Sequence, residues 1–159
     1  MIGRTVRDIL TRATHQYVAQ IALSETVGSS VLMTAMDLSA EAEAFGATIR
    51  MDDNEVPAVT GRLVTSAQEI ESLSLPAPGT GRTRVYLETA HRLSGEHGTP
   101  LVLGGMIGPF SLAGRLFGVS EALEATMTGP ETMVALLEKT TSFLVMYARA
   151  FCALEQMQL

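Results

Sequence analysis

Apolar residues near the N-terminus recur at the spacing of an amphipathic helix. They are Val6, Ile9, Leu10, Ala13, Tyr17 and Ile21. This spacing places apolar side chains on one helical face, so we predict a helix from residue 5 to about residue 24. Thr5, with Asp8 three residues later, resembles a capping pair at the start of that helix. Gly28 and the two serines after it end the pattern.

Short apolar runs bounded by turn residues predict strands further along the chain. We predict buried strands over residues 31–36 and 101–103, and further strands over 47–51 and 61–64. The intervening patterns predict helices over residues 39–45, 66–73, 83–94, 109–117, 120–127 and from Pro130 onward, with a loop at 76–81 and a break at 97–100. Strands that alternate with helices predict βαβ units, a parallel sheet and the α/β class. We find no internal repeat and no long linker, which predicts one domain over residues 1–159.

Composition and charge narrow the range of partners. Hydrophobic residues make up 47% of the chain and charged residues 18%, so it is less charged than a typical soluble domain, and part of its apolar surface is expected to face a partner or a missing segment. The formal net charge of −6 leaves no basic footprint for nucleic acid or for a membrane surface. The long C-terminal helix contains Glu138, Lys139 and Arg149, so we expect no membrane span. A cytoplasmic protein is the default expectation.

Asp37 is the first candidate for chemistry because it follows a predicted strand. The carboxyl ends of the strands form the catalytic face of a (β/α)8 barrel. A carboxylate at that position can orient a ligand or stabilise a developing positive charge, and the same residue type also caps helices. Glu41 lies one helical turn after Asp37 and is therefore expected on the same face.

A glycine-rich turn between a predicted strand and a predicted helix is the second candidate. It contains Gly104, Gly105 and Gly108, followed by Pro109 and Phe110. Glycines let a ligand approach the backbone, and a helix N-terminus attracts anionic groups. The turn is neither a Walker A loop nor a GxGxxG fingerprint, so a tight turn required by packing remains the alternative reading. We take Glu41, Gly105, Gly108, Pro109 and Phe110 as candidate cleft or substrate-binding residues.

The other charged and ligating side chains predict no site of their own. The acidic residues Glu43, Asp52, Asp53 and Glu55 match no calcium loop and are expected to be solvated. We also expect Arg82 and Arg84, which follow the loop at 76–81, to be solvated at the start of a helix. The three histidines, at positions 15, 91 and 97, show no ligand spacing, and the single Cys152 excludes a disulfide or a multi-thiolate zinc site within the chain.

Four sequence segments, in order along the chain, match the motifs of one enzyme family. Residues 36–46 read MDLSAEAEAFG and residues 104–113 read GGMIGPFSLA, while residues 52–57 and 147–150 supply a polar turn with Val-Pro and the stretch YARA. They resemble the MDLxxEAEAFG, GGxxGPFxLA and flanking motifs of the methylcobamide:coenzyme M methyltransferases, the MtaA/CmuA group of the uroporphyrinogen decarboxylase superfamily. Uroporphyrinogen decarboxylase itself is similar in the spacing of Asp37 and Gly46, but its N-terminal pair of arginines is not found here.

This resemblance implies a fold and an activity. The family's fold is a (β/α)8 TIM barrel of roughly twice this length, so residues 1–159 are expected to form a partial barrel, roughly half, that is inactive alone. The implied reaction transfers a methyl group from methylcobamide, free or on a corrinoid protein, to a small thiol such as coenzyme M, with Asp37 as the catalytic candidate. The family's zinc is held by a His-x-Cys pair and a later Cys in the other half, so we expect no metal or cofactor to be bound by this chain alone.

Two alternatives remain open at the level of sequence. The first is decarboxylation of a tetrapyrrole carboxylate, in which Asp37 would stabilise a protonated pyrrole intermediate. The second is a non-enzymatic half-barrel that self-associates and covers its open sheet edges with a second copy. We expect the chain to form a homo-oligomer.

Overall fold

The computed structural model describes residues 3–95 and 101–155, so the predicted break at 97–100 lies outside the described residues. The N-terminal segment forms two helices, α1 (Val6–Thr11) and α2 (Ala13–Val27). The prediction of one continuous helix is wrong, because Arg12 takes an extended conformation (φ −136°, ψ 116°) between them. This break allows Leu10 and Ala13, on either side of it, both to enter the core. The predicted capping box of Thr5 and Asp8 is confirmed.

Four short strands form two separate pairs in the described part of the chain. Strand β1 (Val31–Met33) pairs in parallel with β4 (Leu101–Leu103), so that Val31 faces Leu101 and Met33 faces Leu103. Strands β2 (Ile49–Arg50) and β3 (Ala58–Val59) form a small antiparallel pair. The parallel pair confirms the predicted βαβ arrangement, but the strand predicted at 61–64 is wrong. The backbone N–H groups of Leu63 and Val64 donate instead to the Leu116 carbonyl, at 2.8 and 3.2 Å.

The parallel pair is covered on one face only, which corrects the prediction that both strands are buried. Leu32 is 5% exposed, whereas Val31, Met33, Leu101 and Leu103 are between 39% and 51% exposed. The alternation follows from strand geometry, since successive side chains point to opposite faces of a sheet. One face therefore packs on the helices, and the other presents a row of apolar side chains.

The remaining helices begin and end close to the predicted residues. They are α3 (Ala40–Ala44), α4 (Ala67–Ser72), α5 (Thr83–Ser94), α6 (Pro109–Phe117), α7 (Val119–Thr128) and α8 (Pro130–Glu155). Gly46 ends the α3 turn with φ +102°, a conformation that favours glycine. Pro109 occupies the first turn of α6, as predicted. None of the described helices combines the length and apolar character needed to cross a membrane.

Helix α8 is the central packing element and contacts α4, α5, α6 and α7. Its aromatic residues form a ladder, with ring centroids 5.9 Å apart between Phe143 and Tyr147 and 4.7 Å apart between Tyr147 and Phe151. Phe45, after α3, meets the ladder edge-on at 5.1 Å from Phe143, a geometry that aromatic pairs favour. This packing fixes α3, α5 and α6 around the carboxyl ends of β1 and β4.

Candidate functional site

Asp37 lies four residues after β1 and is buried, with 4% of its surface exposed. Its carboxylate accepts hydrogen bonds from the backbone N–H of Ser39 at 2.9 Å and from the Ser39 hydroxyl at 2.7 Å. It also accepts from the Tyr86 hydroxyl at 3.2 Å and from the Arg82 guanidinium. Both carboxylate oxygens are therefore satisfied, which is the condition under which a charge tolerates burial.

Arg82 is the main partner of Asp37, and the prediction that it is solvated is wrong. It is 6% exposed, at the start of α5, and it contacts Asp37, Glu43 and the Ser39 hydroxyl together. Burial alone would lower the pKa of Arg82, but the neighbouring carboxylates of Asp37 and Glu43 outweigh it and raise the pKa of the guanidinium. We call the four residues Asp37, Ser39, Glu43 and Arg82 the clasp.

The clasp also corrects the expectation that Glu43 is solvated. Its side chain is 31% exposed and its carboxylate pairs with Arg82. The other members of the predicted acidic cluster, Asp52, Asp53 and Glu55, are exposed, as expected. Arg84 is also exposed, and its side chain approaches Glu88 one turn along α5 at 3.6 Å.

Glu41 is buried beside the clasp and joins it to the glycine-rich turn. It is 3% exposed, and its Oε1 accepts a hydrogen bond from the Ile107 N–H at 3.0 Å. Burial raises the pKa of the Glu41 carboxyl, and the Ile107 hydrogen bond opposes that shift only in part. The neighbouring Asp37 charge adds to the rise, because a second negative charge nearby disfavours ionisation.

A small cavity brings three of the predicted site residues together. Asp37, Glu41 and Gly105 line it, along with Ala35, Met36, Ala40, Tyr86 and Tyr147. Gly105 is fixed by a 2.9 Å hydrogen bond from its N–H to the Thr34 hydroxyl. Burial raises the pKa of both tyrosine hydroxyls, so both remain neutral donors at neutral pH. The cavity leaves no room for a water molecule.

The other three predicted cleft residues lie on the surface beside the cavity. Gly108 caps the N-terminus of α6, Pro109 is the first residue of that helix, and Phe110 is 40% exposed. They continue the turn that Glu41 holds through Ile107, but they do not line the cavity itself. Their place in a ligand cleft stays a prediction.

Sequence reasoning missed Arg82, Tyr86 and Ser39 as members of the site. Arg82 and Tyr86 follow Asp37 by 45 and 49 residues, a separation that leaves no local pattern. The one available signal was that Arg82 and Tyr86 are four residues apart and therefore share a face of α5. Ser39 was visible as the residue at the start of α3.

The residues present do not fit the zinc implied by the resemblance. Among the described residues no three side chains of His, Cys, Asp or Glu are grouped so as to hold a metal ion. Cys152 lies exposed on α8, while His15 and His91 lie on different helices. We therefore derive no step through zinc bound to the described residues.

Comparison with known proteins shows the family to which the chain belongs. The family described as uroporphyrinogen decarboxylase (URO-D) matches residues 1–155. A methylcobamide:CoM methyltransferase MtbA from Methanosarcina acetivorans is 35% identical over 126 residues, and the MtbA of Methanosarcina mazei is 32% identical over the same length. A methylated-thiol–coenzyme M methyltransferase from Methanosarcina mazei is 29% identical over 126 residues.

A solved structure shows the same fold. A methyltransferase from Methanosarcina mazei superposes on 96% of this chain with a TM-score of 0.87 at 24% identity. The match covers 46% of that protein, and the matches to the two MtbA proteins cover 78% of this chain and 37% of theirs. The chain thus has the fold of part of a (β/α)8 barrel and spans less than half the length of the relatives that it matches.

Proposed function

The chain belongs to the uroporphyrinogen decarboxylase family, and on that premise we propose that it supplies one wall of the cleft in which a methyl group passes from a methylcobamide to a thiol. The observation that carries this proposal is the 35% identity to a methylcobamide:CoM methyltransferase. The match covers 78% of the 159 residues, so it includes the stretch from Asp37 to Phe110 wherever it begins. The thiol in the relatives' names is coenzyme M, and a small thiol of that kind is the proposed acceptor here.

The contribution of this chain is positional. The clasp fixes the carboxyl end of β1 against α5, and Glu41 fixes the glycine-rich turn against α3. Both elements lie at the strand ends that form the catalytic face of a barrel. Orienting reactants at such a face is a large part of catalysis, and a displacement of about 1 Å can cost about 100-fold in rate.

A chimera tests the proposal directly. The matched segment of the Methanosarcina acetivorans MtbA is replaced by this chain's segment, and transfer from methylcobalamin to coenzyme M is measured. We expect the chimera to be active, and Asp37→Asn within it to lower kcat/KM by about 100-fold. The exposed Asp52→Asn is the matched control and should leave the rate unchanged. A folded, zinc-loaded chimera without activity would contradict the proposal.

The metal content of the chain itself is a separate prediction. We propose that the chain alone binds no stoichiometric zinc, because the described residues offer no three-ligand group. Elemental analysis after expression in zinc-supplemented medium should find far less than one equivalent. One tightly bound equivalent would place a metal centre in this part of the fold and would require a different account of the site.

Decarboxylation of a tetrapyrrole carboxylate is the second candidate, favoured by the description of the matching family. In that reaction Asp37 would stabilise a positive charge on a pyrrole ring. Absorbance titration with a coproporphyrin-type ligand distinguishes the two candidates. Binding that is lost in Asp37→Asn and kept in Asp52→Asn would favour the decarboxylase.

A further inference from the structure

Glu41 differs from the other charged residues of the site in having a buried oxygen without a hydrogen-bond partner among the described residues. Oε1 accepts from the Ile107 N–H, whereas Oε2 is buried and has no hydrogen-bond partner in the described part of the chain. A buried polar atom of this kind is rare, because native structures satisfy nearly all of them. The burial of Oε2 without a partner therefore calls for an explanation.

The polar groups that face Glu41 form their hydrogen bonds with other residues. Asp37 approaches from the end of β1, Arg82 and Tyr86 from α5, and Tyr147 from α8. The Tyr86 hydroxyl donates to Asp37, as does Arg82, and the Tyr147 hydroxyl donates to the Thr83 carbonyl at 3.4 Å. None of these groups bonds Oε2, and the cavity has no room for a water molecule.

Ionisation of Glu41 would consequently leave negative charge in a dry space beside the Asp37 carboxylate. Such a charge favours any movement that brings Oε2 to water. The neutral acid avoids this cost while its Oε1 still accepts from Ile107. A carboxylate would accept that bond more strongly, since the Ile107 bond lowers the pKa of Glu41, but the effect of burial is larger. Burial is also the first cause of the raised pKa of Glu41, in agreement with the geometry.

The glycine-rich turn, which lines the cavity through Gly105, is held by fewer side-chain hydrogen bonds than the clasp. Two hydrogen bonds to side chains hold its backbone, one from the Ile107 N–H to Glu41 and one from the Gly105 N–H to the Thr34 hydroxyl. The side of the cavity formed by the clasp, in contrast, is held by several hydrogen bonds that include two ion pairs. Glycines at 104, 105 and 108 lower the conformational barrier to rearrangement of the turn.

We propose that Glu41 is a proton-dependent latch: its neutral carboxyl group fastens the turn at 104–108 to α3 through Ile107, and loss of its proton releases the turn. Release also frees the Ile107 N–H near the N-terminus of α6. The titration of Glu41 and the release of the turn do not depend on methyl transfer. A role for that release in controlling access to the cleft rests on the proposed function.

Nuclear magnetic resonance of the 15N-labelled chain between pH 5 and pH 9 tests the latch without zinc, corrinoid or thiol. We expect the amide signals of Ile107 and its flanking glycines to move together, with one midpoint above the ordinary glutamate value of 4.5. In Glu41→Gln the movement should be lost, because the amide keeps an acceptor for Ile107 and does not titrate. The exposed Glu55→Gln is the control and should titrate like the unaltered chain.

Three results would overturn the latch. They are Ile107 signals that do not change with pH, a transition that persists in Glu41→Gln, and a carboxyl midpoint for Glu41 at or below 4.5. The carboxyl midpoint is measured by 13C resonance in the unaltered chain, so it decides the question even if Glu41→Gln does not fold. A failed latch leaves the chimera assay unaffected, and an inactive chimera leaves the titration unaffected.

Discussion

At the scale of single residues, the clasp shows how this chain buries charge. Arg82 contacts two carboxylates and a hydroxyl, and its side chain is 7% exposed. A buried ion pair contributes little net stability relative to apolar packing, since desolvation offsets most of the attraction. Removing one partner is nevertheless costly, because the other charge stays buried without compensation.

We therefore expect Arg82→Met to lower the free energy of unfolding by about 3–5 kcal/mol. The matched control is Arg84→Met, two residues further along α5, whose side chain is 71% exposed beside Glu88. An exposed pair of that kind contributes about 0–1 kcal/mol. Urea unfolding of both variants measures the difference, and equal midpoints would show that the clasp does not stabilise the fold.

The residue scale also separates what sequence predicts from what it does not. Asp37 was predicted at a strand end because a short apolar run stops just before it. Arg82 was predicted in solvent because its neighbours in sequence are a Pro-Gly loop and an exposed helix start. Its burial depends on Asp37, which lies 45 residues away, and pairing over that distance leaves no trace in either segment.

At the scale of elements, the turn between β4 and α6 is shaped by the C-terminal helix. A side chain at Gly104 would have its Cβ 2.6 Å from the Phe151 ring, whereas a Cβ at Gly108 would meet nothing within 4 Å. The two glycines differ in the space around them rather than in backbone angle, since neither has a positive φ. Phe151 therefore packs directly on the turn that Glu41 also holds.

We expect Gly104→Ala to destabilise the chain by about 1–3 kcal/mol, the usual cost of overpacking. Gly108→Ala should fall within about 1 kcal/mol of the unaltered chain in either direction, because the new methyl group meets no neighbour. Thermal unfolding compares the two variants. An unaffected Gly104→Ala would mean that Phe151 moves aside freely.

Element boundaries followed the sequence wherever a local signal marked them. Thr5 and Pro109 lie at the predicted helix starts, and the glycines at 46 and 118 follow the predicted ends of the helices at 39–45 and 109–117. The break at Arg12 was missed because the apolar periodicity continues through it. The strand at 61–64 was predicted wrongly because a short apolar run does not reveal that its N–H groups bond to the end of α6.

At the scale of the whole molecule, the uncovered face of β1 and β4 is an exposed apolar surface near the site. Val31, Met33, Leu101 and Leu103 form two facing pairs on it, and Met36 and Leu38, just beyond β1, are also exposed. In a closed barrel, side chains of this kind fill the interior in layers. When the chain is studied by itself, we expect a contiguous apolar face of this kind to bind another protein surface.

We expect the chain to self-associate through this face. Light scattering should give a mass above 16.9 kDa that falls towards the monomer on dilution. The paired variant Met33→Lys with Leu103→Lys should shift the chain towards the monomer. The control pair Val119→Lys with Leu123→Lys, on the exposed side of α7, should not. A clean monomer at high concentration would contradict the prediction.

The enclosure of the clasp has a consequence for the response to ionic strength. Dissolved ions weaken the interaction between exposed charges, with a screening length of about 8 Å at physiological salt that shortens as salt is added, and they screen enclosed pairs much less. The surface pairs of Arg50 with Asp52 and of Arg62 with Glu121 are open to such screening. The ion pair of Arg82 with Asp37 is not, because the two side chains are 7% and 0% exposed. The carboxyl end of β1 therefore keeps its attachment to α5 in dilute buffer and in concentrated salt alike.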